Sequence, residues 1–141
     1  RFKDLQSAVG DPTKESTKLF ERPFMGGSML ESSNAEGSYL VKSLKTSDVL
    51  DKGCPTFDLV KCDLEGAEWH LLTDHAEILT QSKFLLMEWH SWHLGGGGIV
   101  QIKKTLKDLE FKVLRSSPPA KSVGREGEVG LFLAKNLNFE N

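Results

Sequence analysis

No stretch of this 141-residue sequence approaches the roughly 18 consecutive apolar residues that cross a membrane. No secretory leader is visible at its start either. An excess of one charge is missing too: 18 Lys and Arg stand against 20 Asp and Glu, a formal net charge of -2. A balanced chain has no electrostatic pull on DNA, RNA or an anionic bilayer, so neither nucleic acid nor membrane is expected as a partner. Lys103, Lys104 and Lys107 share one expected helix and read as a solvated face. Cysteine is scarce: Cys54 and Cys62 stand in no CxxC or paired-ligand spacing, and Cys62 reads as a small core residue. A reducing, cytoplasmic setting fits that usage. Three signatures are also absent. There is no G-x-S-x-G elbow, and Gly95 to Gly98 match neither G-x-G-x-x-G nor G-x-x-x-x-G-K-[ST]. Those four glycines read as a hinge before a helix.

The elements that are present change character along the chain. Residues 3–9 read as a weak strand ending at Gly10-Asp11-Pro12, and residues 16–21 as a second short one. The tract 23–38, rich in Gly, Ser and Asn, is too long for a simple connection. Residues 39–44 read as a strand, and 46–50 as a helical turn capped by Thr46 or Ser47. FDLVKC, 57–62, is a short apolar run of the kind buried in parallel sheets. Ala67, Leu71, His75 and Ile78 then follow at helical spacing, with Leu72 and Leu79 beside them. FLLMEW, 84–89, is a second buried run. Ile99, Ile102, Leu106 and Leu109 form another helical stripe, and 111–114 and 129–134 close the chain as strands. Alternation of strand and helix argues for an open α/β sheet with parallel strands and helical crossovers.

Acids gather where two of these strands end. Asp63, Glu65 and Glu68 follow the first run; Glu88, His90 and His93 lie at and after the end of the second. Open α/β sheets bind ligands beyond the carboxyl ends of their strands, so both clusters point to one rim. Strand alternation puts Lys61 on the face of Asp63, placed to pair with it or with Glu65. The plainer alternative is that these acids only neutralise Lys61 and favour the N-terminus of the next helix. EWHSWH, 88–93, admits three readings. The tryptophans pack and the histidines bond to backbone; or His90 removes a proton from a hydroxyl as a general base; or the histidines hold a metal. A metal needs about three ligands at one point, and His90 and His93, three apart after a strand, need not share one. No metal ligand is assigned on this basis.

FDLVKCDLEGAEWHLL, 57–72, resembles the signature of the FkbM family of S-adenosylmethionine-dependent methyltransferases, which reads D-L-I-K-I-D-V-E-G-A-E before an apolar helix. Asp58, Lys61, Asp63, Glu65, Gly66, Ala67 and Glu68 stand at its positions. FLLMEWH, 84–90, is similar to that family's next strand, which ends in Glu-x-His. SAVGDPTKESTKLF, MGGSML and VKSLKTSDVL resemble its preceding segments in order. The resemblance implies a partial Rossmann-like class I methyltransferase sheet, mostly parallel with an antiparallel C-terminal strand. It implies a single α/β domain over 1–141, truncated at its N-terminus, since the glycine-rich cofactor loop and the ribose-binding acid have no match and Arg1 stands where a Met would open a chain. The strand 57–62 would then have an unpaired neighbour position. The implied reaction is methyl transfer to a hydroxyl of a small molecule, sugar or lipid. In that reading Asp63 and His90 are catalytic, and Asp11, Asp63 and Glu65 touch S-adenosylmethionine. Glu68, Glu88 and His93 line the acceptor side. The rival expectations are a non-catalytic α/β module or inactive fragment, and a metal-dependent hydrolase built on Asp63, Glu88, His90 and His93.

Overall fold

The computed structural model describes residues 7–21, 37–50, 56–93, 98–122 and 127–139. The weak strand expected at 3–9 and the tract 23–38 lie largely outside them, as do Cys54 and the glycines 95–97.

Strands β1 (Ser16–Glu21) and β2 (Gly37–Lys42) pair antiparallel into a two-stranded sheet of their own. Ala8 bridges to Ser43 beside it. Helix α1 (Thr46–Val49) takes Lys45 as its N-cap, with no side-chain cap bond. The expected cap, Thr46, has another use: its hydroxyl lies 3.0 Å from His75 Nδ1.

The main sheet starts with β3 (Phe57–Cys62) and continues, after helices α2 (Glu68–Thr73) and α3 (Ala76–Thr80), with β4 (Ser82–His90). Helix α4 (Gly98–Asp108) leads to β5 (Phe111–Ser116), a two-residue β6 (Ala120–Lys121) and β7 (Glu128–Asn136). The strand order is β3-β4-β7-β5, with β6 on β7. Only β3 and β4 pair parallel; β7 is antiparallel to β4, β5 and β6. The α/β class therefore holds, but the expectation of a mostly parallel sheet does not. The last strand inserts between β4 and β5 rather than adding at an edge. It matches β4 in length and runs beside it from Phe84↔Lys135 to His90↔Val129. Because β7 opposes both neighbours, β3, β4 and β5 still run in one direction.

All three longer helices pack on one face. Leu72, Leu79, Ile102 and Leu106 are buried against Cys62, Leu85, Met87, Trp89, Phe132 and Ala134, the positions that alternate onto that face. Leu59, Phe84, Leu86, Leu131 and Leu133 point the other way, and Leu59 and Leu131 are 51% and 44% exposed. The strand expected to be buried is thus an edge among the described residues. It pairs only with β4, and Asp58, Leu59 and Lys61 are exposed. Val9, Leu44, Val49, Phe57, Val60 and Leu71 help line an apolar cleft of about 280 Å³ beside it.

The helical stripe from Ala67 to Leu79 is present but broken. The N–H of His75 bonds the carbonyl of His70 (3.0 Å), and α3 starts afresh. His75 is fully buried at the break. Its Nε2–H donates to the Gly10 carbonyl (2.8 Å), so it ties the Gly10 turn and α1 to this helix pair. On α4, Lys103, Lys104 and Lys107 are exposed, the solvated face that their spacing suggested. No helix among the described residues is long and apolar enough to cross a membrane.

Candidate functional site

Parallel pairing of β3 and β4, with Cys62 opposite Met87, brings both carboxyl ends to one edge of the sheet. The chain leaves β3 through Asp63 and Leu64 and turns at Glu65 and Gly66, whose φ angles are +50° and +106°. Glycine holds such a conformation freely; a glutamate there is strained by about 1–2 kcal/mol. Three hydrogen bonds hold the turn in place. Trp92 Nε1–H donates to the Glu65 carbonyl (3.4 Å). Oε1 of Glu68 accepts from the N–H groups of Leu64 (3.2 Å) and Gly66 (3.1 Å). The first residue of α2 thereby satisfies N–H groups of the turn that leads into the helix, while Ala67 at the N-cap makes no side-chain cap bond.

The same Oε1 accepts Nδ1–H of His90 at 2.7 Å, and both side chains are only 2% exposed. Glu68 is therefore a buried link between the end of β3 and the end of β4. With Nδ1 committed, His90 turns Nε2 toward the carboxylates. Glu88 Oε1 lies 3.7 Å from it. Asp63, Glu65 and His90 each offer a ligand atom within 4.8 Å of the others. The His90 ring also lies 4.5 Å from that of Trp92, tilted by 40°.

Burial alone would lower the pKa of His90. The hydrogen bond that His90 donates to Glu68, and the charges of Glu68, Glu65 and Glu88, outweigh it and hold the imidazole above its ordinary value. The carboxyl of Glu65 is raised by burial, and the charges of Asp63, Glu68 and Glu88 add to that against the pull of His90.

Of the residues picked from the sequence, Asp63, Glu65, Glu88 and His90 come together at this edge. Lys61 pairs with Asp63 at 3.6 Å, as strand alternation suggested. Glu68, expected on the acceptor side, is buried and bonded to His90 and the turn. Asp11 is not brought to the cluster. Its Oδ1 closes a local turn by accepting Thr13 N–H (2.9 Å) and hydroxyl (2.6 Å), bonds that lower its pKa. It lines a separate groove with Lys14, Lys18 and His70. The His93 side chain lies outside the described residues. Trp92 and the positioning role of Glu68 were missed. An acid two residues after a Gly-containing strand–helix turn, within reach of that turn's N–H groups, was the available signal.

Cys62 lies behind this edge, 2% exposed. Burial pushes its thiol well above the usual range, with Glu68 and Asp63 adding to the effect. In a Cys54→Ser variant, Cys62 is expected to react with a disulfide reagent orders of magnitude more slowly in buffer than in urea. Comparable rates would show that the edge opens freely.

No family model matches this chain, and neither a curated protein nor a solved structure matches it.

Proposed function

We propose that this chain carries the acceptor side of an S-adenosylmethionine-dependent methyltransferase of the FkbM kind, acting on a hydroxyl of a small molecule, sugar or lipid. The observation that carries the reading is the buried Glu68–His90 pair, set beside Asp63 and Glu65 on the signature-like segment. The pairing of an antiparallel final strand with the last of the parallel ones supports it as well.

S-adenosylmethionine supplies, when bound, a methyl group on a sulfonium centre. The described residues fit the other half of that chemistry. Glu68 fixes His90 with Nδ1–H outward-bonded, which leaves the Nε2 lone pair of the neutral ring to accept a hydroxyl proton. The Glu68 carboxylate then stabilises the imidazolium that results. Glu68 is a positioning residue in this arrangement and His90 the base. Asp63, 39% exposed at the rim, and Glu88 beside it supply acceptors that orient a polyhydroxylated substrate. The glycine-rich turn and ribose-binding acid of the resemblance have no counterpart among these 141 residues. This chain by itself therefore holds the acceptor side without the donor side.

Calorimetric titration of S-adenosylhomocysteine into the chain, beside a version extended upstream in its coding sequence, tests the reading. Binding to the longer chain alone is the expected result. Binding to neither overturns the proposal in favour of a non-catalytic module, and binding to the short chain overturns the division into two half-sites.

A further inference from the structure

We propose that Asp63, Glu65 and His90 form a site for a divalent transition-metal ion of the Mn²⁺ or Zn²⁺ kind. Three donors of suitable type converge, each within 4.8 Å of the others. Bound ions of this kind hold oxygen and nitrogen at about 2.0–2.2 Å, so the donors must close in by about 1 Å or more. Asp63, exposed at the end of a strand, has the freedom to do so.

A cluster of acids alone would need no ion, since water solvates it. His90 distinguishes this one. The imidazole is 2% exposed, and its Nδ1–H is fixed on a carboxylate of equal burial. That is the arrangement by which proteins orient a metal-binding histidine and raise its basicity. No hydrogen bond to its Nε2 is seen among the described residues; an oxygen of Glu88 lies 3.7 Å away. A buried nitrogen aimed at carboxylates, with its orientation already fixed, is a prepared ligand. The charge argues the same way: Asp63, Glu65, Glu68 and Glu88 surround one imidazole. Lys61 competes at Asp63, but it is 66% exposed and 3.6 Å away, a surface pair worth at most about 1 kcal/mol. One imidazole with two carboxylates selects Mn²⁺, Fe²⁺ or Zn²⁺ over the all-oxygen preference of Mg²⁺ and Ca²⁺.

The site stands independently of methyl transfer. An ion there competes with a proton for Nε2, so His90 acts as a base only in the ion-free site. This site differs from the Asp63, Glu88, His90 and His93 set of the hydrolase expectation in using Glu65.

The test is titration of chelator-treated full chain with MnCl₂ and ZnCl₂, followed by calorimetry and, for Mn²⁺, by electron spin echo spectroscopy. One ion per chain is expected, with a nitrogen modulation from a directly bound imidazole. Asp63→Asn and Glu65→Gln should each weaken binding tenfold or more, and Glu68→Gln by about 10–100-fold through loss of the carboxylate that raises the basicity of His90. His90→Gln should abolish the nitrogen signal. Asp63 is exposed, so its variant keeps the test valid if His90→Gln does not fold. His70→Gln, in a surface pair with Asp74, should leave binding unchanged. Absence of saturable binding up to about 1 mM, a weak affinity on the usual scale, overturns the proposal. So does binding that Asp63→Asn and Glu65→Gln leave intact.

Discussion

Glu68→Ala is expected to destabilise this fold by about 3–5 kcal/mol, the usual loss when one partner of a buried pair is removed. The substitution strips three hydrogen bonds from one oxygen: those from Leu64 N–H, Gly66 N–H and His90 Nδ1. It leaves a 2%-exposed imidazole without its counter-charge. It also frees the turn at Glu65, whose left-handed φ of +50° needs to be held. Small domains have only about 5–15 kcal/mol in total, so the variant should be near the threshold of folding. Glu68→Gln retains a carbonyl acceptor without the charge and should lose about 1–3 kcal/mol. Asp63→Ala, exposed, should stay within about 0.5 kcal/mol. Urea unfolding in chelator-treated buffer measures all three. A Glu68→Ala variant within 1 kcal/mol of the parent would mean that the buried link is not what joins the two strand ends.

The same pair gives a pH dependence. His90 is raised in the folded chain, so its stabilising contribution is complete below its ordinary value of 6.5 and is lost as pH rises through the folded value. Glu65 acts with the same sign, since the folded chain keeps that proton to higher pH than the unfolded chain, from 4.5 upward. The groups that face His90 are Glu68 on α2, Asp63 and Glu65 on the turn, and Glu88 on β4. Stability should fall as pH rises above 4.5, through the raised Glu65, and above 6.5, through the raised His90, and the fall should shrink in Glu68→Gln.

Much of this edge was legible before the fold was known. The apolar runs at 57–62 and 84–89 are strands, and the acids after Cys62 and the histidine after Trp89 do meet. That follows from local rules: a short apolar run makes a strand, and parallel neighbours end on one side. The illegible parts depend on partners distant in sequence. Nothing in the 129–134 run says that it inserts between β4 and β5, because periodicity marks a strand's faces and not its neighbours. The exposure of β3 is not visible in the run itself, which looks alike whether or not a strand lies on its far side; the unpaired position followed only from the resemblance. The burial of Glu68 was not legible because an acid at a helix start is ordinarily solvated. Its burial depends on His90, 22 residues later. His75 is a second such case. It stands in the apolar stripe and read as an ordinary helix residue, while the polar partners that make its burial tolerable, Gly10 and Thr46, come from elsewhere in the chain.

Gly130 should resist even alanine, although alanine usually suits a strand better than glycine by roughly 0.5–1 kcal/mol. Gly130 sits opposite Trp89 in the β4–β7 ladder. A Cβ there would lie 2.7 Å from the indole Nε1 and 2.9 Å from Cε2 and Cζ2. Trp89 is completely buried, so the ring has nowhere to move. Overpacking of this kind costs about 1–3 kcal/mol and should reverse the sign expected from strand preference. Trp89→Ala should lose about 3–5 kcal/mol through the cavity it leaves. Trp89→Phe should lose less, because it removes the nitrogen that crowds Gly130 and also a buried N–H that has no hydrogen-bond partner among the described residues. The two positions should therefore be coupled. In urea unfolding, Gly130→Ala with Trp89→Phe should lose at least about 1 kcal/mol less than the sum of the single changes. Strict additivity would mean that the ring already has room, and that glycine at 130 serves some other need. The pair bears on the site because His90 is the next residue along β4, opposite Val129. A ring pushed off Gly130 shifts the strand end that carries the imidazole. Gly130→Ala should therefore also weaken Mn²⁺ binding, without touching any ligand.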